Sequence, residues 1–176
     1  MFTRWYSPLL CSALVFGAAP AFSADGTVTV NGEVLLETCT INGGIPNFNI
    51  ALPKLGTSAL TGVGSTAGDT HFSIVLTNCV GPATLVNTYF EAGPTTNADG
   101  RLINQSSSAA PVDGQIKNAD GSIVNLAGSY GSQNTASTSI VNQGSTQNYT
   151  IAYYAKVAPV TAGGFNSSVV YTLAYQ

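Results

Sequence analysis

The chain has 176 residues, of which only 7% are charged, with five Lys and Arg against eight Asp and Glu and a net charge of −3. That balance offers no basic stripe of the kind DNA or RNA binding requires. Gly, Ser, Thr and Asn abound and the aliphatics are largely Val and Ile, so the expected class is all-β with small polar outward faces; the Gly/Ser/Thr-rich stretches 56–68 and 104–110 read as loops between apolar runs rather than as disorder.

The first element is a targeting segment. Arg4 gives a short basic start, residues 9–19 form an apolar run shorter than the roughly 20 residues of a membrane helix, and Ala21-Phe22-Ser23 offers small residues for cleavage. Residues 1–23 are therefore expected to be a cleaved signal peptide, with the cut after Ser23, because a cut after Ala24 would put bulky Phe22 where a small residue is wanted.

Directly behind it, residues 26–34 alternate strictly: Gly26, Val28, Val30, Gly32 and Val34 are apolar or Gly, and the residues between them are polar, the period of a half-buried strand. Residues 24–36 are read as an N-terminal extension and 37–176 as one β-domain. Within it, residues 35–41 are expected to form a strand carrying Cys39, turned by Asn42-Gly43-Gly44. Phe48, Ile50 and Leu52 alternate until Pro53 stops the run, and Phe72, Ile74 and Leu76 alternate up to Cys79. Residues 85–92 form a further run. Gln115-Ile116-Lys117 and Ser122-Ile123-Val124 flank Asn118-Ala119-Asp120-Gly121 as a hairpin, Tyr149, Ile151 and Tyr153 alternate next, and residues 159–164 turn before a last strand. Val169, Tyr171, Leu173 and Tyr175 share one face of that strand. Seven or eight short strands imply a sandwich or barrel.

Cys11 leaves with the signal, and the remaining pair, Cys39 and Cys79, is expected to form one disulfide in an exported protein. It closes a loop of about 40 residues, for which chain entropy suggests roughly 4 kcal/mol. Two thiols and the single His71 do not complete a four-ligand metal site, and no metal or other cofactor is expected.

The order of a signal, the alternating segment from Asp25 to Val34, Cys39-Thr40-Ile41, a second Cys about forty positions on and a terminal Tyr175-Gln176 resembles the fimbrial subunits of the chaperone-usher pathway, the type 1 pilin family. Phe72-Ser73-Ile74-Val75-Leu76-Thr77-Asn78-Cys79 and Tyr89-Phe90-Glu91 are similar to that family's central strands, and the likeness covers essentially the whole mature chain. The resemblance implies an incomplete immunoglobulin-like β-sandwich that lacks its last strand. The missing strand leaves a groove, filled first by a periplasmic chaperone and then by the N-terminal extension of the next subunit as an outer-membrane usher assembles the fibre. By position, Gly26, Val28, Val30 and Gly32 match the donor strand. Val169, Tyr171, Leu173 and Tyr175 match the acceptor edge, with Tyr175 as the penultimate aromatic that chaperones recognise. The implied product is a structural subunit of an adhesive surface fimbria, a homopolymer reached through the periplasm.

A sandwich missing a strand exposes an apolar core and unpaired backbone groups, which a partner's strand satisfies by β-augmentation. The alternative function is an exported carbohydrate-binding β-sandwich or adhesin module; a tip adhesin of the family carries a receptor domain ahead of the pilin domain, for which the mature chain has no room. The aromatics Tyr149, Tyr153, Tyr154 and Tyr171 are read as packing rather than a sugar platform. An enzyme is not expected. One His and scattered acids, with Asp99 and Asp120 each before a turn Gly, make no catalytic constellation.

Overall fold

A computed structural model describes residues 26, 28–32 and 38–176. The expected signal segment, the start of the extension, Thr27 and residues 33–37 lie outside the described residues. The chain divides into two units, residues 1–33 and 34–176. In the first, residue 26 and residues 28–32 belong to no strand and are exposed, Val28 at 89% and Val30 at 85%.

The second unit is an all-β sandwich. Its strands are β1 (Thr38–Ile41), β2 (Thr66–Val80), β3 (Leu85–Glu91), β4 (Val112–Asn118), β5 (Thr138–Ser139), β6 (Ser145–Ala155) and β7 (Val170–Tyr175). They form a four-stranded sheet in the order β1-β2-β6-β4 and a three-stranded sheet in the order β5-β3-β7, with every strand pair antiparallel. β2 and β6 pair over most of their length, with Phe72 opposite Tyr149, and β4 pairs with the other edge of β6, with Ile116 opposite Ile151.

Alternation places the core. Ile74 and Leu76 of β2, Ile116 of β4, Tyr149 and Ile151 of β6, and Val86 and Phe90 of β3 are buried in one cluster between the sheets. Each such aliphatic contributes about 1.5–3 kcal/mol on burial. Phe90 meets Tyr149 edge-on at 5.2 Å, and Phe72 stacks on Tyr149 at 5.5 Å, so aromatic packing links the two sheets.

Cys79 is out of step with Ile74 and Leu76, yet it is buried. Thr38 pairs with Val80 and Thr40 with Thr77, so β2 carries an extra residue there, and Asn78 absorbs it at φ 52. The bulge restores Cys79 to the inner face, where it is bonded to Cys39.

Edges in this half of the molecule are closed by nearby groups. Leu102 and Gly114 exchange backbone hydrogen bonds along the outer edge of β4, Val124 N–H donates to Ile116 O, and the turn at residues 118–121 brings Ile123 opposite Lys117. Gln133, 1% exposed, acts on β3 as a short strand would: its side-chain amide donates to Phe90 O and to Leu126 O and accepts from Phe90 N–H. Asp113, also 1% exposed, accepts from Asn97 Nδ2 at 2.7 Å and lies 3.1 Å from Lys156 Nζ, while Arg101 stacks 3.9 Å over the Tyr154 ring.

The expected strand at Phe48, Ile50 and Leu52 differs from the structure. These residues join no ladder, and no backbone group of residues 47–52 is hydrogen-bonded to another described residue. The alternation records which side chains face the core. It does not supply a neighbour for the backbone.

Candidate functional site

An unfilled groove lies along the rim of the sandwich. One wall is the residues leading into β7 together with its start; the other is the unpaired segment 46–52. β7 is the edge of its sheet, paired through β3 with Phe90 opposite Tyr171, Thr88 opposite Leu173 and Val86 opposite Tyr175. Its other edge carries no paired strand among the described residues. Between the walls is a cavity of about 620 Å³ whose floor is core: Phe72, Ile74, Phe90, Leu102, Ile116 and Ile151. Residues from both sheets thus reach one opening, the geometry of a sandwich short of one strand.

The two walls run in opposite directions. At one end Tyr171 O–H donates to Pro46 O at 2.7 Å and its ring lies 6.3 Å from that of Phe48, which in turn is 6.1 Å from Phe72. At the other end Tyr153 O–H donates to Pro53 O at 3.2 Å, and its ring meets Phe165 edge-on at 5.6 Å. Burial pushes the phenols of Tyr153 and Tyr171 up from their ordinary value, which keeps both as neutral donors.

Of the four residues expected on the acceptor edge, Val169 and Tyr171 line the cavity. Leu173 and Tyr175 share their face and pack, partly buried, against the core farther along the strand. Sequence reasoning did not assign Phe48, Ile50 and Leu52 to the groove, although their alternation was visible. It also missed Phe165 and Ser167, which continue the inward face of Val169 and Tyr171 toward the N-terminus. The signal was the spacing of two, read too short because the Ser interrupts the apolar set.

His71, to which no role was assigned, is exposed and shares a 2.8 Å hydrogen bond with Thr150. Of the tyrosines read as packing, Tyr149 is in the core and Tyr171 and Tyr153 edge the groove. The groove holds no charged lining residue. Its chemistry is that of an apolar floor beside an edge strand.

The family model described as fimbrial protein matches residues 25–176. The chain is 39% identical over 171 residues to the major fimbrial subunit SMF-1 of Stenotrophomonas maltophilia, covering 92% of this chain and 99% of that one. It is 37% identical over 161 residues to the F17 fimbrial protein of Escherichia coli, covering 86% and 88%. Among solved structures, a Burkholderia pseudomallei antigen and type I fimbria protein superposes with a TM-score of 0.55 at 27% identity, over 78% of this chain and 88% of that one. The P pilus rod subunit PapA shares the fold with a TM-score of 0.59 at 21% identity, over 78% and 99%.

Proposed function

The chain belongs to the fimbrial protein family and is a structural subunit of a surface fimbria, polymerising with other pilin subunits and not an enzyme; on that premise we propose that it polymerises by donor-strand exchange. Its fold is the incomplete immunoglobulin-like sandwich of pilus subunits. In the proposed step the extension 24–36 of one subunit enters the groove between β7 and segment 46–52 of the next. The observation that carries the reading is the open apolar groove beside an edge strand, on a chain whose alternating segment offers Val28 and Val30, both exposed, as side chains to fill it.

Each Val contributes about 1.5–2 kcal/mol on burial, and a backbone ladder to β7 adds to this. Gly26 and Gly32 suit places where the incoming backbone approaches closely. Before polymerisation, a periplasmic chaperone lends a strand to the same groove, with Tyr175 in its recognition, and an outer-membrane usher takes the subunit to the surface after the signal at 1–23 is removed. The contact is heterologous and does not close, so it propagates as a filament.

Val28→Asp tests this. A charge driven into an apolar groove costs several kcal/mol, while the subunit's own sandwich is untouched. Chaperone-bound subunit should accumulate at normal levels and polymer resistant to sodium dodecyl sulfate should be lost, and Gly26→Leu should act alike through its added bulk. Loss of the folded, chaperone-bound subunit itself would count against a donor role.

A further inference from the structure

Two Asn-Gly pairs occur in the chain, Asn31-Gly32 and Asn42-Gly43, and they are held very differently. The dipeptide is chemically labile. Glycine has no Cβ to shield its backbone nitrogen, and that nitrogen can reach the side-chain carbonyl carbon of the asparagine before it. Whether it does so depends on how firmly the two residues are fixed. Asn42 opens the 3-10 turn Asn42–Gly44 after β1 at φ 46; its Oδ1 accepts from the Val75 N–H at 2.8 Å, and its own carbonyl accepts from the Ile45 N–H. Side chain and turn are locked together, and closing a ring between them requires both to let go. Asn31 and Gly32 are exposed, belong to no strand or turn, and make no hydrogen bond to another described residue. A Cβ built on Gly32 would meet nothing within 4 Å, so no described group restrains the peptide that must rotate.

We propose that Asn31 is a modification site, losing its side-chain amide to become aspartate or isoaspartate while the extension is free, and that Asn42 keeps its amide. In this step the Gly32 backbone nitrogen gives up its proton and bonds to Asn31 Cγ, the Cγ–Nδ2 bond breaks, and ammonia leaves with that proton. Water, the only co-reactant, then opens the cyclic imide at either carbonyl. Cleavage at Cγ leaves aspartate; cleavage at the backbone carbonyl leaves isoaspartate, whose main chain runs through Cβ and is longer by a carbon. Aspartate keeps the alternation of residues 26–34, in which position 31 already belongs to the polar set. Isoaspartate breaks it. The added carbon puts the residues after 31 out of step with Val28 and Val30, and such a slip sends a strand's side chains to the opposite face. This consequence rests on the reading of the extension as a donor strand: a subunit that waits too long before assembly loses its competence as a donor, and pairing in a groove stops the reaction by fixing the Gly32 nitrogen.

The experiment takes unassembled subunit as cells yield it, with any partner left on its groove, and ages it in mildly alkaline buffer. Cleavage after Glu33 and Glu37 parts the two Asn-Gly pairs into separate peptides. Their masses report amide loss, and electron-transfer fragmentation tells isoaspartate from aspartate at position 31. Asn31 should convert at least about tenfold faster than Asn42, which must open its turn first. Equal rates, or an Asn31 that stays intact, overturn the proposal. In Asn31→Gln, whose longer side chain closes the ring poorly, the peptide ending at Glu33 should keep its mass, and a mass gain there overturns the assignment as well. Aged samples of the parent and of Asn31→Gln are then tested, each against its own fresh sample, for polymer resistant to sodium dodecyl sulfate. Polymer loss that tracks isoaspartate in the parent and is absent from Asn31→Gln upholds the site and its consequence together. Conversion of Asn31 with no loss of polymer upholds the modification site and counts against the donor-strand reading instead.

Discussion

β6 and segment 46–53 carry the same sequence pattern and meet opposite fates. Tyr149, Ile151 and Tyr153 alternate as Phe48, Ile50 and Leu52 do, and both sets face the interior. β6 is flanked on both edges, by β2 and by β4, and its central residues Tyr149 and Ile151 are 2% and 7% exposed. Segment 46–53 is flanked on neither among the described residues, and Phe48 is 37% exposed. At Phe90 the side chain of Gln133 takes the place of a neighbouring strand, whereas the backbone of residues 47–52 has no such substitute among the described residues. The contrast teaches that alternation reports a buried face and carries no information on whether the backbone edges beside it are paired.

The comparison breaks most visibly under a charge. Ile151→Asp buries a carboxylate where no partner stands and should cost about 5 kcal/mol or more, abolishing the cooperative melt, while Ile50→Asp on the open wall should cost about 1–2 kcal/mol and spare the fold. Thermal melts of the two variants followed by circular dichroism decide it; equal losses would mean that segment 46–53 belongs to the core as fully as β6 does.

Next in size is the tie that fixes β1 to β2 and so the start of the chain that leads into the open wall. Cys39→Ser should lower stability by roughly 4 kcal/mol, for a bridge across 40 positions, and reduce the level of folded subunit recovered. Normal levels and an unshifted denaturation midpoint would remove the bridge from the account.

A smaller effect sharpens the contrast between the two aromatic positions. Phe48→Ala should destabilise by about 1 kcal/mol, since the ring is part-exposed and adjoins a cavity already present, whereas Phe90→Ala, at 2% exposed, should cost about 3–5 kcal/mol. Urea titration of both, with an unchanged slope, gives the ratio.

The least effect belongs to the hairpin that closes the flank of β4. Ser122, by its side chain and its N–H, holds the Asp120 carboxyl below its ordinary value of 3.8, and the N–H donates to Asp120 Oδ1 at 2.9 Å. A depressed carboxyl stabilises the turn above the unfolded value, and that contribution is lost as pH falls through the folded one. Protection of the Gly121 and Ser122 amides, measured as exchange relative to the intrinsic rate at each pH, should therefore fall below about pH 4, a step that Asp120→Asn removes. No such acid step should appear in the groove, whose lining holds no carboxyl.

Much of this molecule was legible from single residues and their spacing. The all-β class, the inward faces of β2, β6 and β7 and the hairpin at residues 118–121 follow from local rules, because the pleat turns successive side chains to opposite faces wherever the chain is extended. The same rules put Val169 and Tyr171 on one face of the last strand, and the family resemblance marked that face as one wall of a groove. They could not mark the other, nor predict the bulge at Asn78, the Gln133 clip on β3 or the buried charge of Asp113. Each of these depends on what stands across from a residue after folding. Tyr171 reaches Pro46 across 125 positions and Gln133 reaches Phe90 across 43, distances over which sequence spacing carries no register. A strand's face is set by its own backbone, but its edges are set by whichever other segment arrives to hydrogen-bond them, and only the tertiary structure shows where none has.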